Sequence, residues 1–367
     1  MPLPTHCSQQ EPLAEPAGNS VWLLANPTAG RGHGRAVAQA IRQSVSATGR
    51  HVQICYDRPE TAVPPEPPDV VVVVGGDGTL RAAVERLMVL FPAELPPVLP
   101  VPMGTANLIG QYLGLERGLL AMGLEGVRSL AHTFSPHEAV RRLPRLRLGA
   151  MRLDPKHTAR RMLRRLLPPA AQVAREEADR VVRALERNER HCIDVGLANG
   201  RLFLLMAGVG FDAHVVHVLD ERRSGPIGLL SYALPAASAV ARYGFPPVRV
   251  DVDGRRVFGP KPGVVMVANL PQYGTGFSLI PGARGDDGLL DVLCLPCSSR
   301  VKLGQLLALA AGQRHLAVAG AIQATGRRVE VVSTAPVPVQ IDGDPGGTLP
   351  LSAELDKRQV TFIKPVA

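Results

Sequence analysis

Aromatic residues are scarce, 4% of 367 positions with a single tryptophan. That shortage argues against a stacking surface for single-stranded nucleic acid, which needs rings under successive bases. Cysteine is equally sparse: five in all cannot staple a chain of this length into a disulfide framework. Cys294-Leu-Pro-Cys297 has the spacing of a metal or redox pair, but no second pair or histidine cluster accompanies it. Two strand-end cysteines are the simpler reading. No run approaches the ~20 apolar residues of a membrane span. The nearest, 303–324, is interrupted by Gln313-Arg314-His315. Residues 1–20 lack a basic start and an apolar stretch and are rich in Pro and Gln, which excludes a signal-peptide reading and suggests a disordered tail. The expectation is a cytoplasmic protein.

What is present supports a folded, two-domain chain. Hydrophobic residues make up 46% and charged residues 20%, ordinary values for a globular protein with a real core. The net charge of +9 is local. Residues 141–165 hold ten Lys and Arg against Asp154 alone, so the rest of the chain is neutral. Such a run reads either as a solvated insertion or as a surface for anionic lipid headgroups, each basic residue near a membrane adding about 1 kcal/mol. No nucleic-acid motif accompanies it.

The chain is organised around 70–80, where five consecutive valines run into Gly75-Gly76-Asp77-Gly78-Thr79. A β-branched run of this kind predicts a strand buried on both faces of a parallel sheet. Glycines just beyond its carboxyl end let backbone amides approach a phosphate, and one carboxylate there can face a metal ion or a hydroxyl. A plain strand-to-helix turn is the alternative. Two further strand-loop-helix units flank it. The first is 21–25 followed by Asn26-Pro27-Thr28-Ala29-Gly30-Arg31-Gly32, and the second is 98–101 followed by Pro102-Met103-Gly104-Thr105-Ala106-Asn107. Three such loops at one sheet edge would converge on one crevice.

These residues resemble a known family. Asn-Pro-x-x-Gly, Gly-Gly-Asp-Gly-Thr and Pro-x-Gly-Thr-x-Asn, in that order, look like the diacylglycerol kinase catalytic domain shared by bacterial lipid kinases, sphingosine kinases and ceramide kinases. The resemblance continues through Ile193-Asp-Val-Gly-x-x-Asn-Gly-Arg, Gly208-Val-Gly-Phe-Asp-Ala213, Pro281-Gly-Ala-x-x-Asp-Asp-Gly-Leu-Leu-Asp291 and Gln340-Ile-Asp-Gly-Asp344. It leaves out an interval near 116–190. The chain departs from the family pattern at three places. Arg81-Ala82 stands where the family has Asn-Glu, Leu108 where it has Asp, and Asp344 where Asp-Gly-Glu ends in Glu.

The resemblance implies ATP and Mg2+, with phosphoryl transfer to the hydroxyl of a diacylglycerol- or sphingoid-like lipid. Nucleotide-binding candidates are Asn26, Thr28, Gly30, Gly75, Gly76, Asp77, Gly78, Thr79, Gly104, Thr105 and Asn107. Asp342, at an expected exposed strand end, is the candidate general base, with Asp77 as competitor; an Asp-Gly hairpin turn is the alternative for Asp342. Asp286, Asp287 and Asp291 are oxygen donors around a glycine turn, suited to a hard cation or to an Asx turn. Asp212 is either a substrate contact or a helix cap.

The expected fold is α/β + β. A Rossmann-like nucleotide domain with a parallel sheet spans 21–135, completed on the family pattern by 358–367. A basic helical insertion or linker follows at 136–190, with Ala174, Ala178, Val181, Val182 and Leu185 at helical spacing. Short alternating strands then predict a mainly antiparallel β-sandwich lipid-substrate domain at 191–357, with apolar helices at 228–241 and 303–324. Expected partners are a lipid substrate and, through 141–165, a membrane surface touched peripherally; no specific nucleic acid is implied, and a homodimer is compatible with the sequence. Two other readings share the plan: an NAD kinase, whose Asn-Asn or Asn-Glu pair in the second domain is not found here, and a catalytically inactive lipid- or nucleotide-binding module.

Overall fold

The computed structural model describes residues 19–104, 106–114, 170–220, 242–273 and 277–365. Thr105, the basic run 141–165 and the expected helix at 228–241 lie outside the described residues, as does the tail through residue 18. The chain forms two compact units. One takes in 19–80, the described part of 99–188 and 364–365; the other takes in 81–98 and the described part of 189–363.

In the first unit, β1 (Ser20–Ala25) leads through a short helical turn, α1 (Ala29–Gly32), into α2 (Gly34–Ala47) and then β2 (His51–Cys55). Next come β3 (Val70–Gly75), α3 (Asp77–Leu90), whose residues from 81 on fall in the second unit, β4 (Val98–Pro102), which belongs to the first unit from Leu99, and the single turn α4 (Leu108–Tyr112). The strand order is β2-β1-β3-β4. β1 pairs in parallel with both neighbours, Val21 lying opposite Val52 and Val70. β3 is buried from end to end, as a continuous valine run between two covered faces requires. The sheet grows to one side of β1 at β2 and to the other at β3. The loops after β1 and β3 therefore open where the strand order reverses, the usual ligand position in open parallel sheets.

α2 buries Val37, Ala38, Ile41 and Val45 along one face. Against it packs α5 (Ala170–Arg187), which buries Val173, Ala174, Ala178, Val181, Ala184 and Leu185. The expected 136–190 insertion is thus corrected at its carboxyl end. The i, i+4 apolar spacing gives α5 a stripe that covers α2, so this helix is a layer of the nucleotide unit rather than a linker.

The second unit opens with β5 (Arg190–Ala198), β6 (Arg201–Phe203), β7 (Met206–Val209) and α6 (Phe211–Asp220). It continues with β8 (Pro247–Val252), β9 (Arg255–Ala268), the small pair β10 (Gln272–Tyr273) and β11 (Phe277–Ser278), and β12 (Leu290–Pro296). The remainder is α7 (Arg300–Ala311), β13 (Ile322–Gly326), β14 (Arg328–Val332), β15 (Pro338–Ile341), β16 (Asp344–Thr348) and β17 (Leu351–Ile363). One antiparallel layer runs β6-β5-β17-β14-β8 and ends on the first half of β9. The other runs β16-β15-β7, through the second half of β9, to β12 and β13. β9 changes layer near Gly259, where a side chain would drive into the Val248 carbonyl and φ is +77°, so only glycine fits. Between the layers lies one core that includes Phe203, Phe258, Val265, Val292, Val331 and Ile341.

β17 runs whole to Ile363, eight of its residues in register with β5, and Phe362 also pairs in parallel with Val98 of β4. One expectation changes here. The apolar stretch 303–324 is not one helix. α7 stops at Ala311, Gln313 takes a left-handed conformation (φ +54°), and Ile322–Gly326 turns back to pair with β12. Cys294 and Cys297 are buried free thiols, and burial pushes Cys294 up to about 12, which makes it inert and fits the strand-end reading.

Candidate active site

The first unit gathers its three glycine loops by backbone contact. Asn26 N donates to Val74 O at 2.9 Å, Met103 N to Gly75 O at 2.7 Å, and Gly30 N to Met103 O at 2.9 Å. A Cβ placed on Gly76 would sit 3.0 Å from the Gly104 Cα, and one on Gly104 would sit 2.6 Å from the Gly76 Cα. The second and third loops therefore touch backbone to backbone, which no other residue type permits. Gly75 is equally constrained, a Cβ there meeting Thr79 Cβ at 2.5 Å. Gly78 differs: a Cβ there would meet nothing within 4 Å. The fold does not itself demand glycine at 78.

Side chains lock the loops. Asn26 Oδ1 accepts from Thr28 N at 3.0 Å and Thr28 Oγ1 at 2.8 Å. Asn107 adopts φ +52° and closes the third loop on Gly104, accepting from its N at 2.7 Å and donating to its O at 3.1 Å. Asp77 opens α3 and reaches across to the amides of Leu108 at 3.0 Å and Ile109 at 3.2 Å, capping α4. Burial raises its pKa against the pull of those amides. Asp77 is thus committed to tying the second loop to the third. The first-turn amides of α3, at Gly78 and Thr79, have no carbonyl one turn earlier to bond. They are the donors an oxyanion would meet.

In the second unit Asp342 lies in the hairpin turn that the sequence offered as an alternative. Asp342 and Gly343 have φ of +49° and +84°, the central pair of a tight hairpin turn between β15 and β16, with Ile341 opposite Asp344. The side chain folds inward. Its Oδ2 accepts from Leu204 N at 2.8 Å, and its Oδ1 from Leu205 N at 3.0 Å and Met206 N at 2.9 Å. Burial pushes its pKa up to about 6, while those amides and the Arg81 guanidinium pull the other way. A carboxylate that accepts three backbone amides organises the loop that carries them. Asp344, two residues on, has a side chain 36% exposed and pairs with Arg81 Nη2 at 2.5 Å.

Asp212 stands in the first turn of α6 with its carboxylate enclosed. Tyr273 Oη donates to its Oδ1, and the Gln340 amide lies against it. Burial raises both groups, Tyr273 well above its ordinary value. Gln340 also accepts from Gly343 N at 2.7 Å, so a polar chain links Tyr273, Asp212, Gln340 and the Asp342-Gly343 turn. Sequence reasoning named Asp212 as a candidate and quoted Gln340 with the turn in the Gln340–Asp344 motif; Tyr273 carried no local signal. Arg81 did carry one, as a departure from the family pattern.

The three aspartates expected to share a cation are not gathered into one set. Asp286 pairs with Arg284 at 3.1 Å, and Asp287 folds onto Leu289 N at 3.0 Å in an Asx turn. Among the described residues no three His, Cys, Asp or Glu side chains converge on a metal position. Asp287 and Asp291 do interact: burial and then the Asp287 charge push Asp291 up to about 6. Asp194 meets the same turn from β5, accepting from Gly288 N at 2.9 Å.

Comparison with known proteins agrees with this geometry. A family model described as the diacylglycerol kinase catalytic domain matches residues 20–133. One described as the YegS C-terminal NAD kinase beta sandwich-like domain matches 206–364. A Bacillus subtilis diacylglycerol kinase is 22% identical over 89% of this chain and 90% of its own length. A Staphylococcus carnosus diacylglycerol kinase is 25% identical over 43% of this chain, which spans 51% of that protein. A solved structure of a Bacillus anthracis diacylglycerol kinase shares the fold, with a TM-score of 0.56 at 17% identity, covering 94% of this chain and 97% of that one. The glycine loops of the first unit and the β-sandwich of the second agree with these two models: the chain is similar to the diacylglycerol kinase catalytic domain over 20–133 and to the YegS C-terminal domain over 206–364.

Proposed function

We propose that this chain is an ATP-dependent lipid kinase that transfers the γ-phosphoryl group to the hydroxyl of a diacylglycerol- or sphingoid-like acceptor. The observation that carries the reading is the backbone contact of Gly76 with Gly104 beside the first turn of α3. It makes a dense array of amide donors at the strand-order reversal, suited to a polyphosphate. Asn26, Thr28, Gly30 and Asn107 hold the loops that bind the nucleotide, and Asp77 keeps two of them in register.

Asp287 and Asp291 fit a hard cation that completes its shell with water and phosphate oxygens, because the Asp287 charge raises the proton affinity of Asp291 and such a pair welcomes an opposing charge. Magnesium there would offset phosphate charge. Asp342 shapes the acceptor side by fixing Leu204–Met206, and Asp344 is the carboxylate that orients the lipid hydroxyl and receives its proton. That transfer comes late in a loose transition state and asks little of the base. Asp212 and Tyr273 offer a polar contact to the lipid headgroup. No helix among the described residues is long and apolar enough to cross a membrane, so the acceptor is met from the membrane surface, with the basic 141–165 run supplying attraction.

The test is γ-labelled ATP incubated with the protein against a mixed lipid extract and, separately, against NAD. Label in a lipid supports the proposal. Label in NAD assigns the sister reaction, and ATP binding without transfer to any acceptor identifies an inactive binding module.

A further inference from the structure

Two of the three departures from the family pattern meet in space. Arg81 replaces the Asn after Gly-Gly-Asp-Gly-Thr-Leu, and Asp344 replaces the Glu of Asp-Gly-Glu; 263 residues apart in sequence, they form an ion pair. Neither side chain floats on the surface, Arg81 being 14% exposed and Asp344 36%. Arg81 lies one helical turn beyond Asp77 on α3, so the same helix that opens with the glycine loop carries the guanidinium. Asp344 begins β16 immediately after the Asp342-Gly343 turn, whose other carboxylate orders Leu204, Leu205 and Met206. Shortening Glu to Asp withdraws a carboxylate by one methylene; exchanging Asn for Arg extends the opposite side by more than that and adds a charge.

We infer that Arg81 is a positioning residue that holds Asp344, and through it the Asp342-Gly343 turn, in the geometry used for phosphoryl transfer. The inference rests on the kinase reading above and adds to it. Arg81 and Asp344 act as one unit, so each is tuned to the other rather than to the family pattern. A neutral Asn at 81 cannot supply the forked, charged donor that the shorter carboxylate needs. Arg81 touches neither reacting atom in this role; its effect is read through Asp344.

The experiment measures kcat and KM for ATP in Arg81→Ala, Arg81→Lys, Arg81→Asn, Asp344→Glu and the double variant Arg81→Asn/Asp344→Glu. Arg81→Ala is expected to lower kcat by roughly 10- to 10²-fold, the scale of a misplaced catalytic group, with KM for ATP within about twofold. Arg81→Lys should recover part of the loss. The double variant should turn over faster than Arg81→Asn alone, because it restores the residue types the pattern pairs. Arg81→Ala with kcat near the parent value, a raised KM at unchanged kcat, or additive effects in the double variant would each overturn the inference. A parent protein that labels no acceptor counts against the kinase reading instead. The pair is then decided by amide hydrogen exchange at Leu204, Leu205 and Met206: Arg81→Ala should speed it and Arg81→Lys restore it, whereas unchanged exchange overturns the positioning role.

Discussion

Asp342 and Asp344 stand two residues apart and face opposite tasks. Asp342 accepts three backbone amides, so Asp342→Asn turns an NH2 group toward donors that need an acceptor. Leaving a buried donor unsatisfied costs about 1–3 kcal/mol, and urea unfolding of Asp342→Asn should show a loss of that size. Asp344→Asn removes a partly exposed pair worth at most about 1 kcal/mol, so its stability should stay near the parent's while turnover falls by ~10²-fold or more. A stable, slow Asp342→Asn beside an unaffected Asp344→Asn would reverse the two assignments. The sequence marked the motif residues well, since Gly75, Gly76 and Asp77 follow a valine run that announces a buried strand. It could not reveal what Asp342 binds, because the amides it accepts lie 136–138 residues away. A turn aspartate that folds inward and one that points outward have the same local sequence.

Among the elements, α5 shows how far periodicity reaches. Its apolar spacing was legible, and the structure adds the partner, α2. Leu185 is fully buried, so Leu185→Ala should cost about 2–5 kcal/mol, seen as a lowered denaturation midpoint; a loss under about 0.5 kcal/mol would return the helix to the status of a surface appendage. The 303–324 stretch failed for the complementary reason. Composition was apolar throughout, but Gln313 and Gly320 take positive φ and break the helix, and Ile322–Gly326 finds an open strand edge on β12. Tertiary pairing overrode local propensity. Valine-rich strands such as β3 and β14 were legible because buried strands need β-branched side chains, whereas layer changes such as that of β9 depend on one glycine in a register no periodicity reports.

At the scale of the whole molecule, charge and protons govern two further expectations. Asp287 and Asp291 both have raised pKa values, Asp291 to about 6. A carboxyl raised in the folded state contributes stability that is complete below its ordinary value near pH 4 and is lost as pH rises through about 6. Without divalent cation, the parent should therefore lose more stability between pH 4.5 and 7 than Asp291→Asn does. Magnesium at pH 7 should restore stability to the parent and not to the variant; equal profiles with and without the ion would remove the pair as its ligands. The ten basic residues of 141–165 predict salt-sensitive binding to anionic vesicles, since exposed charges are screened beyond about 8 Å at physiological ionic strength. Deleting the run should reduce turnover on vesicles more than on detergent-dispersed lipid; equal losses would mark it as a solvated insertion.

The central claim is that the glycine loops cradle a nucleotide's phosphates, and Gly78 tests it more cleanly than Gly76. A Cβ at 76 would also press on Gly104, whereas a Cβ at 78 meets no neighbouring side chain or loop within 4 Å. Calorimetric titration of magnesium-ATP into Gly78→Val therefore separates the fold from the ligand. The account predicts an unfolding free energy within about 0.5 kcal/mol of the parent's and an ATP affinity weakened by at least ~10-fold, about 1.4 kcal/mol. Parent-like ATP affinity in a folded Gly78→Val protein would contradict it.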